Sequence, residues 1–128
     1  MIESEYMIRS LTNDIWSLTN RIQSNAEDIN RLEQAKTNIL KEQEELAVQK
    51  KLVFDPELSS DSWAGKHAAE FLNIRSDIEQ AYTTISNQKV ESLLERITSE
   101  ITRLQNLNSS LSQSVESKEN HMNAIKSK

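Results

Sequence analysis

The sequence has no cysteine, a single glycine and a single proline in 128 residues. The absence of cysteine excludes a disulfide framework and a cysteine-based zinc site. A β-rich or α/β domain needs several turns, and turns draw on glycine and proline for backbone geometries that other residues resist. A glycine-rich phosphate-binding loop is excluded for the same reason. The sequence therefore predicts an all-α chain with few reversals.

Long apolar runs and a basic surface are also missing. No run of about 18 apolar residues is present, so no membrane-spanning helix is expected. The acidic start, residues 1–5, lacks the basic-then-apolar pattern of a signal peptide, so none is expected. The net charge is −5, with both signs interspersed along the chain. Because neither half carries the basic stripe that phosphate contacts require, we expect neither nucleic acid nor a membrane surface as a partner.

An apolar repeat with alternating spacings of three and four residues runs through the first half of the chain. Such a repeat is typical of the buried seam of a coiled coil, and neither glycine nor proline interrupts residues 1–54. We therefore predict a helix over about residues 2–53. Polar residues also occupy the seam, at Asn25, Lys36, Gln43 and Lys50. The apolar seam residues are Ile8, Leu11, Ile15, Leu18, Ile22, Ile29, Leu32, Ile39, Leu46 and Val53.

The helical pattern breaks at about residues 54–62, where a loop is predicted. Asp55 and Pro56 disfavour continuation of the first helix, and the serines that follow can cap a new one. A second helix is predicted over about residues 63–125, with a C-terminal end that frays because it is rich in Ser and Asn. Its apolar residues form two sets that are out of register, so the seam should drift between about residues 85 and 94. The first set is Phe71, Ile74, Ile78, Tyr82 and Ile85, and the second is Val90, Leu94, Ile97, Ile101, Leu104, Leu111, Val115, Met122 and Ile125.

Two long amphipathic helices joined by a short loop should fold back on each other, because each apolar stripe must be covered. The predicted fold is an all-α, long antiparallel two-helix hairpin, coiled-coil-like, with residues 1–128 as a single domain. Only 36% of the residues are hydrophobic, against about 45–50% in globular domains, and polar residues interrupt the seam. We therefore expect a protein partner to complete the core.

The candidates for chemistry are few. His67 and His121 lie on opposite sides of the predicted reversal, one near the loop and one at the far end, so they cannot share a metal ion. The Glu and Asp residues follow the spacing of solvated helix surfaces. A two-helix hairpin also has no pocket that would shift the pKa values of paired catalytic carboxylates apart. We expect no enzymatic activity, no metal and no cofactor.

The most informative residues are Trp63 and Gly65, at the mouth of the predicted loop. Gly65 is the only glycine, and without a side chain it lets another backbone or ring approach the start of the second helix. Trp63 is a large rigid group that either caps the end of the hairpin or forms part of a docking surface. Both interpretations remain open from the residues alone.

A tryptophan, any residue and a glycine in the loop of a helical hairpin resemble the WxG-type small proteins of type VII secretion systems. The stretch PELSSDSWAGKHAAEF from Pro56 to Phe71, followed by Arg75 and Tyr82, is similar to the YwqH-like family, small helical proteins of low-GC Gram-positive bacteria. Such proteins are typically encoded beside toxins that carry an N-terminal LXG domain. The resemblance implies a targeting chaperone that binds the helical LXG domain, keeps it soluble and helps to present it for secretion. It also allows a second small helical protein as a further partner.

One departure from the family concerns export. Many secreted relatives end with an aromatic residue followed four positions later by Asp or Glu, and this chain has no such pair. The resemblance therefore implies a cytoplasmic protein, or one that is exported together with a partner that supplies the signal.

Large apolar residues outside the seam are candidates for partner contact. Trp16 is favoured, because an exposed Trp is a common anchor at interfaces. Leu40 either widens the edge of the core or joins a binding patch, and Leu72 lies beside Phe71. The candidate partner-binding residues are Trp16, Leu40, Trp63, Gly65, Phe71 and Leu72.

Two functions remain open. The first is a secretion adaptor for an LXG toxin that acts by helix-on-helix binding. The second is a self-assembling structural coiled coil without a toxin client. In that case Asn25 could pair with its counterpart in a homodimer and set the register, although an Asn at this position would equally suit a heteromeric bundle.

Overall fold

The computed structural model describes residues 2–52 and 66–127, and all of them except Ser127 are helical. Helix α1 is Ile2–Leu52, helix α2 is Lys66–Thr83, and helix α3 is Val90–Lys126. A π-helix, Thr84–Lys89, joins α2 to α3 without a break. No strand occurs in these residues, and the two long helices pack against each other. The predicted all-α helical hairpin is therefore confirmed.

Helix α1 is long because its residues favour helix from end to end. It contains neither glycine nor proline, and its ends carry charges that complement the helix dipole: Glu3 and Glu5 in the first turn, Lys50 and Lys51 in the last. The predicted seam residue Val53, the predicted loop 54–62 and the Trp63 and Gly65 pair lie outside the described residues. Helix α3 continues through the segment rich in Ser and Asn to Lys126, and fraying of this end stays a prediction.

The chain divides into two compact units. The terminal unit consists of Met1–Glu33 and Thr98–Lys128, and the central unit is Gln34–Ile97. Helix α1 contributes its first part to the terminal unit and its second part to the central unit. That the whole chain is a single domain stays a prediction.

In the terminal unit, α1 packs against α3 in antiparallel orientation. Lys118 Nζ donates a hydrogen bond to Asp14 Oδ2 at 3.3 Å, and further along α1 Asn25 Nδ2 donates to Asn108 Oδ1 at 2.9 Å. Residue numbers therefore rise on α1 as they fall on α3. The most deeply buried apolar side chains of this unit are Leu11, Ile101, Leu104 and Leu111.

In the central unit, α1 packs against α2, the π-helix and the start of α3. Gln43 Nε2 donates to the backbone carbonyl of Ser86 at 2.9 Å, and Lys50 Nζ donates to Thr83 Oγ1 at 3.0 Å. Lys50 Nζ also lies 4.0 Å from a carboxylate oxygen of Glu79. These polar seam residues, which the sequence marks as interruptions of the core, are therefore bonded within the chain.

The seam predicted for α1 is confirmed over the described part of the helix. From Ile8 to Lys50, every predicted seam residue, apolar or polar, is buried or half-buried, while every residue between them except Ala35 is exposed. The nine apolar positions predicted for the second set, from Val90 to Ile125, are likewise buried or half-buried. The spacing of apolar residues was sufficient to predict which face of each long helix is covered.

The change of register predicted between about residues 85 and 94 falls at the π-helix. Ile85 and Val90 are five residues apart, and the backbone N–H of Val90 donates to the carbonyl of Ile85. This i to i+5 hydrogen bond is that of a π turn, which accommodates one residue more than an α turn. The wider turn therefore lies where the two apolar sets change register.

The first apolar set of the second helix does not face α1, contrary to its predicted place in the stripe. Phe71, Ile74, Ile78 and Ile85 are exposed, and only Tyr82 of this set is half-buried. The side chains of α2 and the π-helix that are buried or half-buried are Arg75, Glu79, Tyr82, Thr83 and Ser86. The physical reason is the chemistry of the α1 seam here: Gln43 and Lys50 need polar partners, and polar residues rather than the apolar set supply them.

Candidate interaction surfaces

The described residues carry no arrangement suited to metal chemistry. No group of three or more His, Asp or Glu side chains in residues 2–52 and 69–127 is placed to hold a metal ion. His121 is exposed on α3. None of the helices in the described part of the chain has a stretch long and apolar enough to cross a bilayer. The features that remain are exposed apolar side chains.

Trp16 is the most exposed of the predicted partner-binding residues that the structure describes. Its side chain on α1 of the terminal unit is 70% exposed, while the adjacent Ile15 is half-buried in the seam. The indole is therefore not used in packing α1 against α3. A large rigid side chain left in this position loses little conformational entropy when a partner covers it.

Leu40, Phe71 and Leu72 belong to the central unit, and all three are exposed. Leu40 therefore lies outside the covered core, as a binding patch requires. Trp63 and Gly65 lie outside the described residues. Trp16 belongs to the terminal unit, and a shared groove formed by Trp16, Leu40, Leu72 and the Trp63 end stays a prediction.

The central unit also carries a row of exposed apolar side chains, which we call the apolar strip. It consists of Phe71, Ile74, Ile78, Ile85 and Leu93, whose exposed fractions lie between 41% and 59%. Ile74, Ile78, Ile85 and Leu93 each come one residue before a side chain that is buried or half-buried. One residue is a rotation of about 100° around a helix, so the strip lies beside the seam, on one flank of the unit.

Toward its C-terminal end the strip opens into a groove of about 380 Å³, which lies between α1 on one side and the π-helix and the start of α3 on the other. Ile39 and Leu46 line it from α1, and Ile85, Val90 and Leu93 line it from the other side. Glu42 is the only charged residue in the lining. The groove is therefore an apolar depression, continuous with the strip through Ile85 and Leu93.

Charged residues border the two ends of the strip with opposite signs. Glu70 and Asp77 lie four residues before and three residues after Ile74, where helix geometry makes them its surface neighbours. Lys89 and Arg96 have the same spacing around Leu93. All four charged side chains are exposed. One end of the strip is therefore acidic and the other basic.

Sequence reasoning named Phe71 as a candidate but missed Ile74, Ile78, Ile85 and Leu93 as surface residues. The helical spacing of these apolar residues shows that they share a face. It does not show whether the helix that covers this face belongs to this chain or to another one. The signal that could have identified them is the polar character of Gln43 and Lys50, the seam residues of α1 at that end. Polar seam residues favour a polar stripe opposite them.

A model of the YwqH-like family matches residues 7–127. The matched region includes α1 from residue 7 onward, all of α2 and α3, and every described candidate residue. Comparisons with curated proteins and with solved structures give no match. Because the family match covers nearly the whole sequence, the chain belongs to the YwqH-like family.

Proposed function

We propose that this protein is a small helical adaptor, a targeting chaperone, that binds the N-terminal LXG domain of a toxin. In this role it helps the toxin to leave the cell through a Gram-positive type VII secretion system. Family membership supports the proposal, together with the resemblance in residues 56–71 to small proteins encoded beside LXG toxins. The protein acts in the cytoplasm, and any export is together with its partner.

The observation that carries the proposal is the set of large apolar side chains that the packing within each unit leaves exposed. Trp16 in the terminal unit, and Leu40, Phe71 and Leu72 in the central unit, all belong to it. Contiguous exposed apolar side chains, such as Phe71 and the rest of the apolar strip, are typical of surfaces for other proteins. An amphipathic helix of the toxin domain is a suitable partner, because its apolar face can cover such residues at helical spacing.

Binding of this kind explains how an adaptor without enzymatic chemistry would act. A helical toxin domain that exposes an apolar face aggregates unless another helix covers that face. The adaptor supplies the cover and keeps the domain soluble until the secretion machinery receives it. A second small helical protein could cover a further face of the same domain.

The second candidate function is self-assembly without a client. The exposed apolar strip favours some form of association. Asn25, however, does not argue for it, because its side chain donates to Asn108 of the same chain. Asn25 is therefore paired with an Asn of its own chain, rather than with its counterpart in a symmetric copy. Binding of a toxin domain is the property that separates the two functions.

The test is co-expression of the full chain with the N-terminal domain of the toxin encoded beside it, followed by pull-down. Trp16→Ala and Leu72→Ala should reduce recovery of the toxin domain. Val48→Ala is the matched control, because Val48 is also an exposed apolar residue but lies outside the candidate set. Undiminished recovery with both variants folded would remove these residues from the binding surface. No recovery with the unmodified chain would reject the adaptor function.

A further inference from the structure

The apolar strip of the central unit has a symmetry of its own. We propose that a second copy of this chain packs on the strip in antiparallel orientation, about a twofold axis that crosses the strip at the level of residue 83 along the helix. The free protein is then a homodimer held by the central unit. This inference concerns the free protein and does not rest on binding of a toxin domain.

The first argument is the size of the uncovered surface. Five large apolar side chains follow one flank of α2, the π-helix and the start of α3, and each is at least 41% exposed. The strip also runs into the groove lined by Ile39 and Leu46. Contiguous apolar surface of this kind is unfavourable in water and is typical of an interface. In the central unit, α1 covers the neighbouring face and leaves this one open.

The second argument is the order of the charges. Glu70 and Asp77 border Ile74, and Lys89 and Arg96 border Leu93 with the same spacing. A partner helix carrying one sign of charge along its length would be attracted at one end of the strip and repelled at the other. The strip itself, reversed in direction, presents the opposite charge at each end. A second copy of this chain therefore meets the charge requirement at both ends.

The third argument is that one twofold axis satisfies all of these pairings together. An interface with twofold symmetry brings each residue opposite a residue equally far from the axis on the other side. With the axis at the level of residue 83, Glu70 lies opposite Arg96 of the second copy and Asp77 opposite its Lys89. Ile74 then lies near Leu93 of the second copy. Residue 83 is midway in sequence between the members of each charged pair.

The geometry also places apolar residues at the centre of the interface. Ala81 and Ile85 lie on either side of Thr83 at equal separation, so each meets the other residue in the second copy. Both are exposed in the central unit. The arrangement has apolar contacts along its middle and ion pairs at its borders, as protein interfaces commonly have.

The experiment uses two variants of the full chain with complementary charges. One carries Glu70→Lys with Asp77→Lys, and the other carries Lys89→Glu with Arg96→Glu. The oligomeric state is measured by light scattering during size-exclusion chromatography at high micromolar concentration, with helix content checked by circular dichroism. The unmodified chain should be a dimer. In each variant the symmetry makes four ion pairs repulsive, so the dissociation constant of the dimer should rise at least about tenfold.

The decisive sample is an equal mixture of the two variants. Each repulsive contact becomes attractive again in a heterodimer, so the mixture should recover the dimer mass that neither variant shows alone. A monomeric unmodified chain would overturn the proposal. So would a dimer that persists unchanged in both variants, or a mixture that remains monomeric.

A further pair of variants tests the apolar part of the interface. Ile78→Asp places a charge in the strip and should give a monomer, whereas Val48→Asp changes an exposed apolar residue outside the strip and should leave the dimer intact. A dimer in the Ile78 variant would contradict the proposal. Recovery of the toxin domain is measured separately, so loss of the dimer and loss of client binding are distinguishable.

Discussion

The pair formed by Asn25 and Asn108 gives the sharpest stability prediction. Asn25 Nδ2 donates to Asn108 Oδ1 at 2.9 Å, and Asn108 Nδ2 donates to the carbonyl of Ile22 at 3.1 Å. Both side chains are half-buried between α1 and α3 in the terminal unit. Replacing Asn108 by Leu removes both hydrogen bonds and leaves the Asn25 amide in the seam without this partner.

The magnitude follows from the cost of an unsatisfied polar group. A buried donor that loses its partner costs about 1–3 kcal/mol, and half-burial places Asn108→Leu near the lower end, at about 1–1.5 kcal/mol. Asn25→Leu should cost a similar amount, since it leaves the Asn108 amide in the same position. The double variant has no such amide and adds two partly buried leucines. We expect it to be at least as stable as the unmodified chain, because a fully buried Leu contributes about 1.5–3 kcal/mol.

The assay is urea unfolding followed by far-ultraviolet circular dichroism, with all four proteins at one protein concentration so that association contributes equally. The free energies of unfolding form a double-mutant cycle, and its coupling energy should be at least about 1 kcal/mol in favour of the double variant. Additive losses, with the double variant the least stable of the four, would refute the assignment of this pair to a polar contact inside the seam.

Further predictions concern single residues. Leu104→Ala should lower the free energy of unfolding by about 2–4 kcal/mol, because Leu104 is only 5% exposed in the terminal unit; a loss under about 1 kcal/mol on chemical unfolding would contradict its place in the core. Trp16→Ala should change stability by less than about 0.5 kcal/mol, since the indole is exposed; a large loss would show that Trp16 is a packing residue. Arg103→Ala should raise the pKa of Glu100, because the hydrogen bond and charge of Arg103 hold the pKa of that carboxyl below its ordinary value. The stabilisation that Arg103 gives through Glu100 is fully present above the ordinary pKa of a glutamate and is lost as the pH falls through the lowered pKa of Glu100. An NMR titration of Glu100 that is unchanged in the variant would contradict the pair.

The long helices could be predicted from sequence because one signal determines them. Apolar residues at alternating spacings of three and four identify the covered face of α1 from Ile8 to Lys50 and that of α3 from Val90 to Ile125, and both faces are covered as expected. The absence of internal glycine and proline allows each helix to continue. The change of register predicted between about residues 85 and 94 overlaps the π-helix Thr84–Lys89, although the sequence did not predict a π-helix.

The apolar strip could not be predicted in the same way. Periodicity shows that Phe71, Ile74, Ile78 and Ile85 share a face, but it does not show what covers that face. Two α1 seam residues at this end, Gln43 and Lys50, take polar partners instead. Two stripes of α2 and the π-helix, one apolar and one largely polar, could face α1. Which of them does so depends on the side chains of α1, and the apolar repeat of one helix does not reveal those.

We propose that this chain is one component of an assembly with a toxin domain. The decisive measurement is to co-express the full chain with the N-terminal LXG domain of the neighbouring toxin and to follow how the two elute in size-exclusion chromatography with light scattering. We expect one peak that contains both chains, and a toxin domain that is soluble only when this protein is present. Separate elution, with this chain in a stable protease-resistant oligomer of its own, would contradict the claim and favour a self-assembling structural protein.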